Sequence, residues 1–342
     1  MKNHINYSSQ NNKLILNDEL GFLLNKSTID AAISCYSYIG KGDQHAADNA
    51  AVKAMRNRFN KINFRGKIVI GEGERDKAPM LHRGELVGNN TNNSGNIYDL
   101  DIAVDPLEGT KILSHGDNNA LSVAAFAHKG NMLEAPDIYM EKIAIGFKSS
   151  SSKPIIDLDN STEENINNVA EELGIPISEV GICILDRPRH KELIEEIRKI
   201  GARIYLIRDG DIYGIISTNI SNDISMYMGI GGAPEGVLAA AALKTLGGEI
   251  CTRLVYNSAQ DRQKAEESGI NDLNKKYYLD DLIKGDAIFC ATGVTSGNLL
   301  SGVKFENDFV TTNSLMLNSY NFSTNYITSK FHIKPQNNNN NG

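Results

Sequence analysis

Three features of the chain predict a layered α/β architecture. Helical and strand-like apolar patterns alternate along most of its 342 residues, no internal repeat period emerges, and 41% of residues are apolar. That length is worth roughly two domains of about 150 residues each, enough to bury a sizeable core. Disordered, collagenous and disulfide-stapled classes are excluded.

Ser27 and Thr28 are expected to cap a first helix that runs to about residue 39. After the break at Gly40-Lys41-Gly42-Asp43, a second helix is predicted over 45–59, with Val52, Met55 and Phe59 as its apolar stripe. Asp48 lies four residues before Val52 on that same face, which means a buried and partnered carboxylate or one exposed at a cleft. Short apolar runs predict strands over 67–70, 100–104, 121–127 and 143–147. The Ser-rich stretch 149–154 is the linker candidate, followed by a strand at 182–185, a helix at 190–200 and a strand at 203–207. A helix over 234–246 has Pro234 at its expected first position and Gly247-Gly248 at its end. The domain reading is 1–150, an N-terminal α+β domain, and 151–330, a C-terminal α/β domain whose part after about 285 can return to the first. Residues 331–342 are expected to form a flexible Asn-rich tail.

Charge and composition narrow the function. With 35 Lys+Arg against 42 Asp+Glu the net charge is -7, so no basic field exists to hold nucleic acid or an anionic membrane. Cys35, Cys183, Cys251 and Cys290 show no CxxC spacing, which points to a reducing compartment. There is no apolar run of the roughly 18 to 20 residues that cross a bilayer, and no leader pattern at residues 1–12. A soluble, cytoplasmic protein is the expectation.

The densest chemical signal lies between residues 68 and 110. Glu72 and Glu74 follow one strand, and Asp105 and Glu108 follow another. Period-two alternation places Asp99, Asp101, Ala103 and Asp105 on one face, and Pro106 is expected to end that strand. Hard divalent cations such as Mg²⁺ and Mn²⁺ need such oxygen clusters. A solvated acidic loop is the bland alternative for any one of these acids.

The strings IVIGEGERDKAPML (68–81), DIAVDPLEGT (101–110), EAPDIYMEK (134–142), RPRH (187–190), DGD (209–211) and GIGGAPEG (229–236) occur together in this order. Together they closely resemble the class II fructose-1,6-bisphosphatases, over roughly residues 28–320. DPLEGT also looks like the DPxDGT box of the lithium-sensitive, metal-dependent phosphatases. The resemblance implies a layered α-β-α-β-α sugar-phosphatase fold, assembled as a homodimer or homotetramer. It implies that Asp48, Glu72, Asp105, Glu108 and Glu235 bind Mg²⁺ or Mn²⁺. It likewise places the sugar bisphosphate against Glu108, Gly109, Thr110, Tyr139, Arg187, Pro188, Arg189, Asp209, Gly210, Asp211 and Gly232.

The implied reaction is hydrolysis of the 1-phosphate of fructose-1,6-bisphosphate by water, in gluconeogenesis. Asp76 and Thr110 are the catalytic candidates that orient or deprotonate this water. Each has an ordinary alternative: a surface ion pair for Asp76, a helix cap for Thr110, a core tyrosine for Tyr139, a dipole-complementing acid for Glu235. Arg187 and Arg189 read either as phosphate forks or as a solvated pair. Many relatives carry a basic residue before the Asp48 helix where this chain has Gln44-His45, with His45 or Lys41 as possible substitutes, and a Lys is common where Arg187 stands.

Rival readings fare worse. Asp209-Gly-Asp-Ile-Tyr misses the last position of a DxDx[TV] phosphatase motif, Pro234 stands where GxGxxG needs its third glycine, and no GxxxxGK[ST] occurs. A sugar-phosphate sensor without turnover predicts a broken ligand set, whereas this set is complete. A dual fructose-1,6-/sedoheptulose-1,7-bisphosphatase of a pentose-phosphate or carbon-fixation cycle is the nearer alternative.

Overall fold

Asn17 sets the start of the first helix, its side chain accepting the Leu20 N–H at 2.9 Å. In this computed structural model, which describes residues 14–72, 80–89, 97–151 and 153–333, α1 therefore spans Asp18–Cys35. The cap expected at Ser27 and Thr28 is a mid-helix pair. Both are buried, and their hydroxyls donate back to the carbonyls of Leu24 and Asn25 at 2.7 and 2.9 Å. The second helix, α2 (Gln44–Phe59), begins where the glycine break ends, because the Asp43 carboxylate accepts the Ala46 N–H.

Then follow β1 (Arg65–Ile70), β2 (Leu86–Val87), β3 (Asp99–Glu108), α3 (Thr110–His115), β4 (Leu121–His128) and β5 (Tyr139–Ile145). Pro106 does not end β3. The ladder to β4 shifts register between Asp105 and Glu108, and a bulge is where a strand tolerates a residue with no N–H to donate. β5 starts four residues earlier than its apolar run, because Tyr139 and Met140 already pair with β8 and β9. The Ser-rich stretch after it is pinned: the Ser149 and Ser150 hydroxyls reach Glu172, and the Ser149 N–H reaches Glu249.

The rest of the chain gives α4 (Thr162–Leu173), β6 (Gly181–Leu185), α5 (Lys191–Ile200), β7 (Arg203–Ile207), α6 (Asp211–Ile220), β8 (Met226–Gly232), α7 (Ala233–Leu246), β9 (Glu249–Val255), α8 (Ala259–Glu267), β10 (Lys276–Tyr278), α9 (Leu279–Leu282), β11 (Ala287–Gly293), β12 (Lys304–Glu306), β13 (Phe309–Asn318) and β14 (Ser323–His332). One sheet runs β12-β13-β11-β4-β3-β1-β2 with β14 paired to β13, and the other runs β10-β9-β5-β8-β6-β7. The strands after residue 285 thus join the sheet of β3 and β4, with β11 antiparallel to β4.

Alternation along these strands builds the layers. Leu100, Ile102 and Val104 of β3 face α1 and α2, while Ala103 faces inward. On β5, Met140 and Ala144 face inward and Ile143 and Ile145 face α4 and α5. α6 and α7 lie between the sheets, so α7 is apolar on all sides. Its run Ala239–Ala242 meets Ala103, Ala125, Ala127, Ala287 and Ala291 in one core, small side chains that let two sheets close on one helix. The order is α-β-α-β-α.

The four cysteines are free and buried. Burial pushes the Cys35 and Cys183 thiols up to about 12, which leaves them protonated. Among the described residues no helix is long and apolar enough to cross a membrane.

Candidate active site

β1 and β3 run parallel and adjacent, so both point their C-terminal ends at the same edge of the sheet. Glu72 stands two residues beyond β1, and Asp105 and Glu108 lie near the end of β3, Glu108 being its final residue. Asp105 folds over the bulge, one carboxylate oxygen accepting the Leu107 N–H at 3.1 Å. Gly109 then turns the chain with φ +87°, a conformation that favours glycine, and hands Thr110 to the first turn of α3. Thr110 is not the cap residue, since Gly109 occupies that position without a side-chain bond. Asp48 arrives from α2, and Glu235 from the first turn of α7, where Pro234 is the second residue rather than the first.

These groups line one cavity of about 370 Å³ between the sheets, together with Gln44, His45, Arg83, Asp137, Asp209, Gly210 and Asp211. Asp48, Glu72, Asp105, Glu108 and Glu235 are therefore brought to one place from four segments. Of the substrate set, Glu108, Gly109, Thr110, Asp209, Gly210 and Asp211 line it too. Of the two basic candidates near α2, His45 is on its wall and Lys41 is not. Asp76 lies outside the described residues.

The electrostatics are those of an acid cluster. Burial first, and then the charges of Glu72, Glu108, Glu235 and Asp48, push the Asp105 carboxyl well above the ordinary range. Glu108 is likewise pushed well up by burial and by Asp211, Glu235 and Asp209, against an Ile212 N–H donated to its Oε1 at 2.8 Å. Burial also raises Glu235, and the Lys142 ammonium opposes it. The remaining oxygens, Glu108 Oε2 and Glu235 Oε2, are buried and accept no hydrogen bond among the described residues. A buried carboxylate left unneutralised costs several kcal/mol.

An all-oxygen set with two unused buried oxygens fits a hard divalent cation. Among the described residues no three His, Cys, Asp or Glu side chains close on a single point.

Beyond the cavity the second wall is self-paired. Arg187 donates to Asp209 at 3.0 Å and to the carbonyls of Asp186 and Arg208. Arg189 donates twice to the Ile230 carbonyl, at 2.8 and 2.6 Å, with its guanidinium 4.8 Å from the centre of the Tyr139 ring. Tyr139 is thus a surface ring under a cation, not a core tyrosine. Tyr139, Arg187, Pro188, Arg189 and Gly232 do not line the main cavity; Arg189 instead borders a smaller one of about 180 Å³. His190 is buried, with Nδ1 at 2.7 Å from the Leu185 carbonyl and Nε2 accepting the Ile230 N–H at 2.8 Å, which requires the neutral ring.

Sequence reasoning missed Lys142, Arg83 and Asp137. Lys142 had a readable signal: a lysine at an inward position of β5, between Met140 and Ala144, is out of place unless it is paired. Arg83 and Asp137 sit in loops with no periodicity to betray them.

Comparison with known proteins shows the family. The family model described as bacterial fructose-1,6-bisphosphatase, glpX-encoded, matches residues 18–331. The chain is 40% identical over 318 residues to a Trichodesmium erythraeum protein named D-fructose 1,6-bisphosphatase class 2/sedoheptulose 1,7-bisphosphatase, covering 87% of this chain and 91% of the relative. A protein of the same name from Synechococcus sp. (strain RCC307) is 43% identical over 320 residues, covering 89% and 93%. One from Microcystis aeruginosa is 40% identical over 329 residues, covering 90% and 94%.

Proposed function

The chain belongs to the glpX-encoded family of bacterial fructose-1,6-bisphosphatases, which are phosphoric monoester hydrolases, and we propose that it hydrolyses the 1-phosphate of fructose-1,6-bisphosphate to fructose-6-phosphate and phosphate in gluconeogenesis. What supports this reading is the convergence of Asp48, Glu72, Asp105, Glu108 and Glu235 on one cavity, with buried oxygens of Glu108 and Glu235 unused. These five residues would hold Mg²⁺ or Mn²⁺. Such an ion, when bound, supplies positive charge for the transferring phosphoryl group and its leaving oxygen.

The chain's own groups do the rest. Thr110, on the cavity wall, orients the attacking water through its hydroxyl, and Asp76 takes the water's proton. Glu108 ties the end of β3 to α6, since one of its oxygens accepts the Ile212 N–H while the other is buried without a hydrogen bond among the described residues. Asp209 and Asp211 border the sugar, and Arg187 and Arg189 meet the phosphate that is not cleaved. For them to do so, Arg187 and Arg189 exchange carbonyl acceptors for phosphate oxygens. The assembly is a homodimer or homotetramer in this reading, which sedimentation velocity checks directly.

Phosphate release from fructose-1,6-bisphosphate, sedoheptulose-1,7-bisphosphate and inositol-1-phosphate, each with Mg²⁺ or Mn²⁺, tests the substrate. Release from the first is expected, and none from inositol-1-phosphate. The double name of the relatives makes sedoheptulose-1,7-bisphosphate the second substrate to measure; comparable turnover on it moves the enzyme to a pentose-phosphate or carbon-fixation cycle.

A further inference from the structure

Behind the cavity, β5 carries a lysine whose side chain is fully buried. The Lys142 ammonium lies 2.5 Å from Asp211 Oδ2 and donates to the Gly232 carbonyl at 2.7 Å. Asp211 is the first residue of α6, and Gly232 is the residue that precedes α7. One side chain thus bridges the starts of the two helices that deliver Asp211 and Glu235 to the cavity.

The glycines of 229–236 give the bridge its room. A Cβ on Gly231 would stand 1.7 Å from Asp211 Oδ2, and one on Gly232 would stand 1.9 Å from Glu235 Oε2. A Cβ on Gly236 would meet Met140 Sδ at 2.7 Å and then the Lys142 stem at 3.3 Å. Gly231 and Gly232 therefore make clearance for the two acids beside the lysine, and Gly236 for Met140 and the lysine stem, which accounts for a glycine-rich string that serves no dinucleotide.

We propose that Lys142 is a positioning residue of the active site, holding Asp211 against the Gly232 carbonyl and so fixing the spacing of the α6 and α7 starts, and with it the place of Glu235 beside Asp105 and Glu108, the residues that would hold the divalent cation. The proposal rests on the functional reading above. A buried lysine of purely structural value would do no more than keep two helices together. A positioning lysine sets where Glu235 stands relative to Asp105 and Glu108, so its loss weakens cation uptake even when the fold is restored.

Two variants separate these roles. Lys142→Met leaves Asp211 buried without its counterion and is expected to lower the melting temperature. The double variant Lys142→Met/Asp211→Asn removes both charges of the pair and recovers much of that loss. Mn²⁺ binding, read from the free-ion electron paramagnetic resonance signal without substrate, is the deciding measurement. At least a tenfold rise in the Mn²⁺ dissociation constant is expected in both variants, the thermally recovered double variant included. Wild-type affinity in the double variant overturns the proposal, as does a wild-type protein that takes up no Mn²⁺. If the wild type binds Mn²⁺ and hydrolyses no bisphosphate, the functional reading fails, while the Mn²⁺ comparison between wild type and variants still decides the role of Lys142.

Discussion

Two regions, one lining the cavity and one beside it, solve their electrostatics in opposite ways. On the wall built from α2, the ends of β1 and β3, and α7, acids face acids and raise one another's proton affinity, with oxygens of Glu108 and Glu235 left over. In the region built from Arg187–His190, 209–211 and the β5–β8 pair, of which only 209–211 line the cavity, each charge has a partner inside the protein: Arg187 has Asp209, Lys142 has Asp211, and Arg189 has the Ile230 carbonyl and Tyr139. On the proposed reading, a divalent cation completes the first. The second is complete alone and yields donors only in exchange for a better acceptor, such as a phosphate.

The largest effect is expected from removing a charge on the incomplete wall. Glu72→Gln should lower kcat by about 10³-fold or more, since a lost cation ligand withdraws several kcal/mol from the transition state, while the circular dichroism spectrum stays that of the wild type. Near-normal turnover would remove Glu72 from the metal set. Next comes Gly231→Ala, whose Cβ meets the Asp211 carboxylate. A displacement of about 1 Å costs about 10²-fold in kcat, and steady-state kinetics on the purified variant measures it.

On the self-paired wall the effects should be smaller and fall on binding. Arg189→Ala removes a fork that meets substrate and transition state alike, so KM rises about 10-fold while kcat holds. An unchanged KM would take Arg189 out of the phosphate site. The smallest effect concerns His190. Burial first, and then the Arg189 and Arg187 charges, hold its proton affinity below the ordinary value of 6.5. The unfolded chain therefore binds the proton that the folded ring refuses, and the stability this neutral ring contributes is present above about pH 6.5 and declines as pH falls below it. His190→Gln should flatten that acid-side decline in melting temperature; an unaltered slope would assign it to other groups.

Much of this was legible in the sequence where local chemistry and tertiary structure agree. Asp43 after a glycine break, an Ala-rich run closed by Gly247, and acids at the ends of apolar strands all carry their own signals. The misreadings share one cause, a local rule overruled by packing. Ser27 and Thr28 look like caps, yet their hydroxyls bond back within a longer helix that Asn17 starts. Pro106 looks like a stop, yet the bulge it occupies carries β3 on to Glu108. Asp101 shares the alternation of Asp105, yet its carboxylate is spent on the N–H groups of Gly130, Asn131 and Met132 and holds a turn instead of facing the cavity. The partners of Lys142 were hidden for the converse reason: Asp211 and Gly232 are distant in sequence, and Gly232 comes to the lysine through the pairing of β5 with β8.

The incompleteness of the acid wall is tested most directly by phosphate release from fructose-1,6-bisphosphate in EDTA, and again after Mg²⁺ or Mn²⁺ is restored, for the wild type beside Asp105→Asn. No release in EDTA, recovery of the wild type on adding the ion, and no recovery of Asp105→Asn is the predicted result. Undiminished release in EDTA, or an Asp105→Asn enzyme that recovers fully, would contradict it.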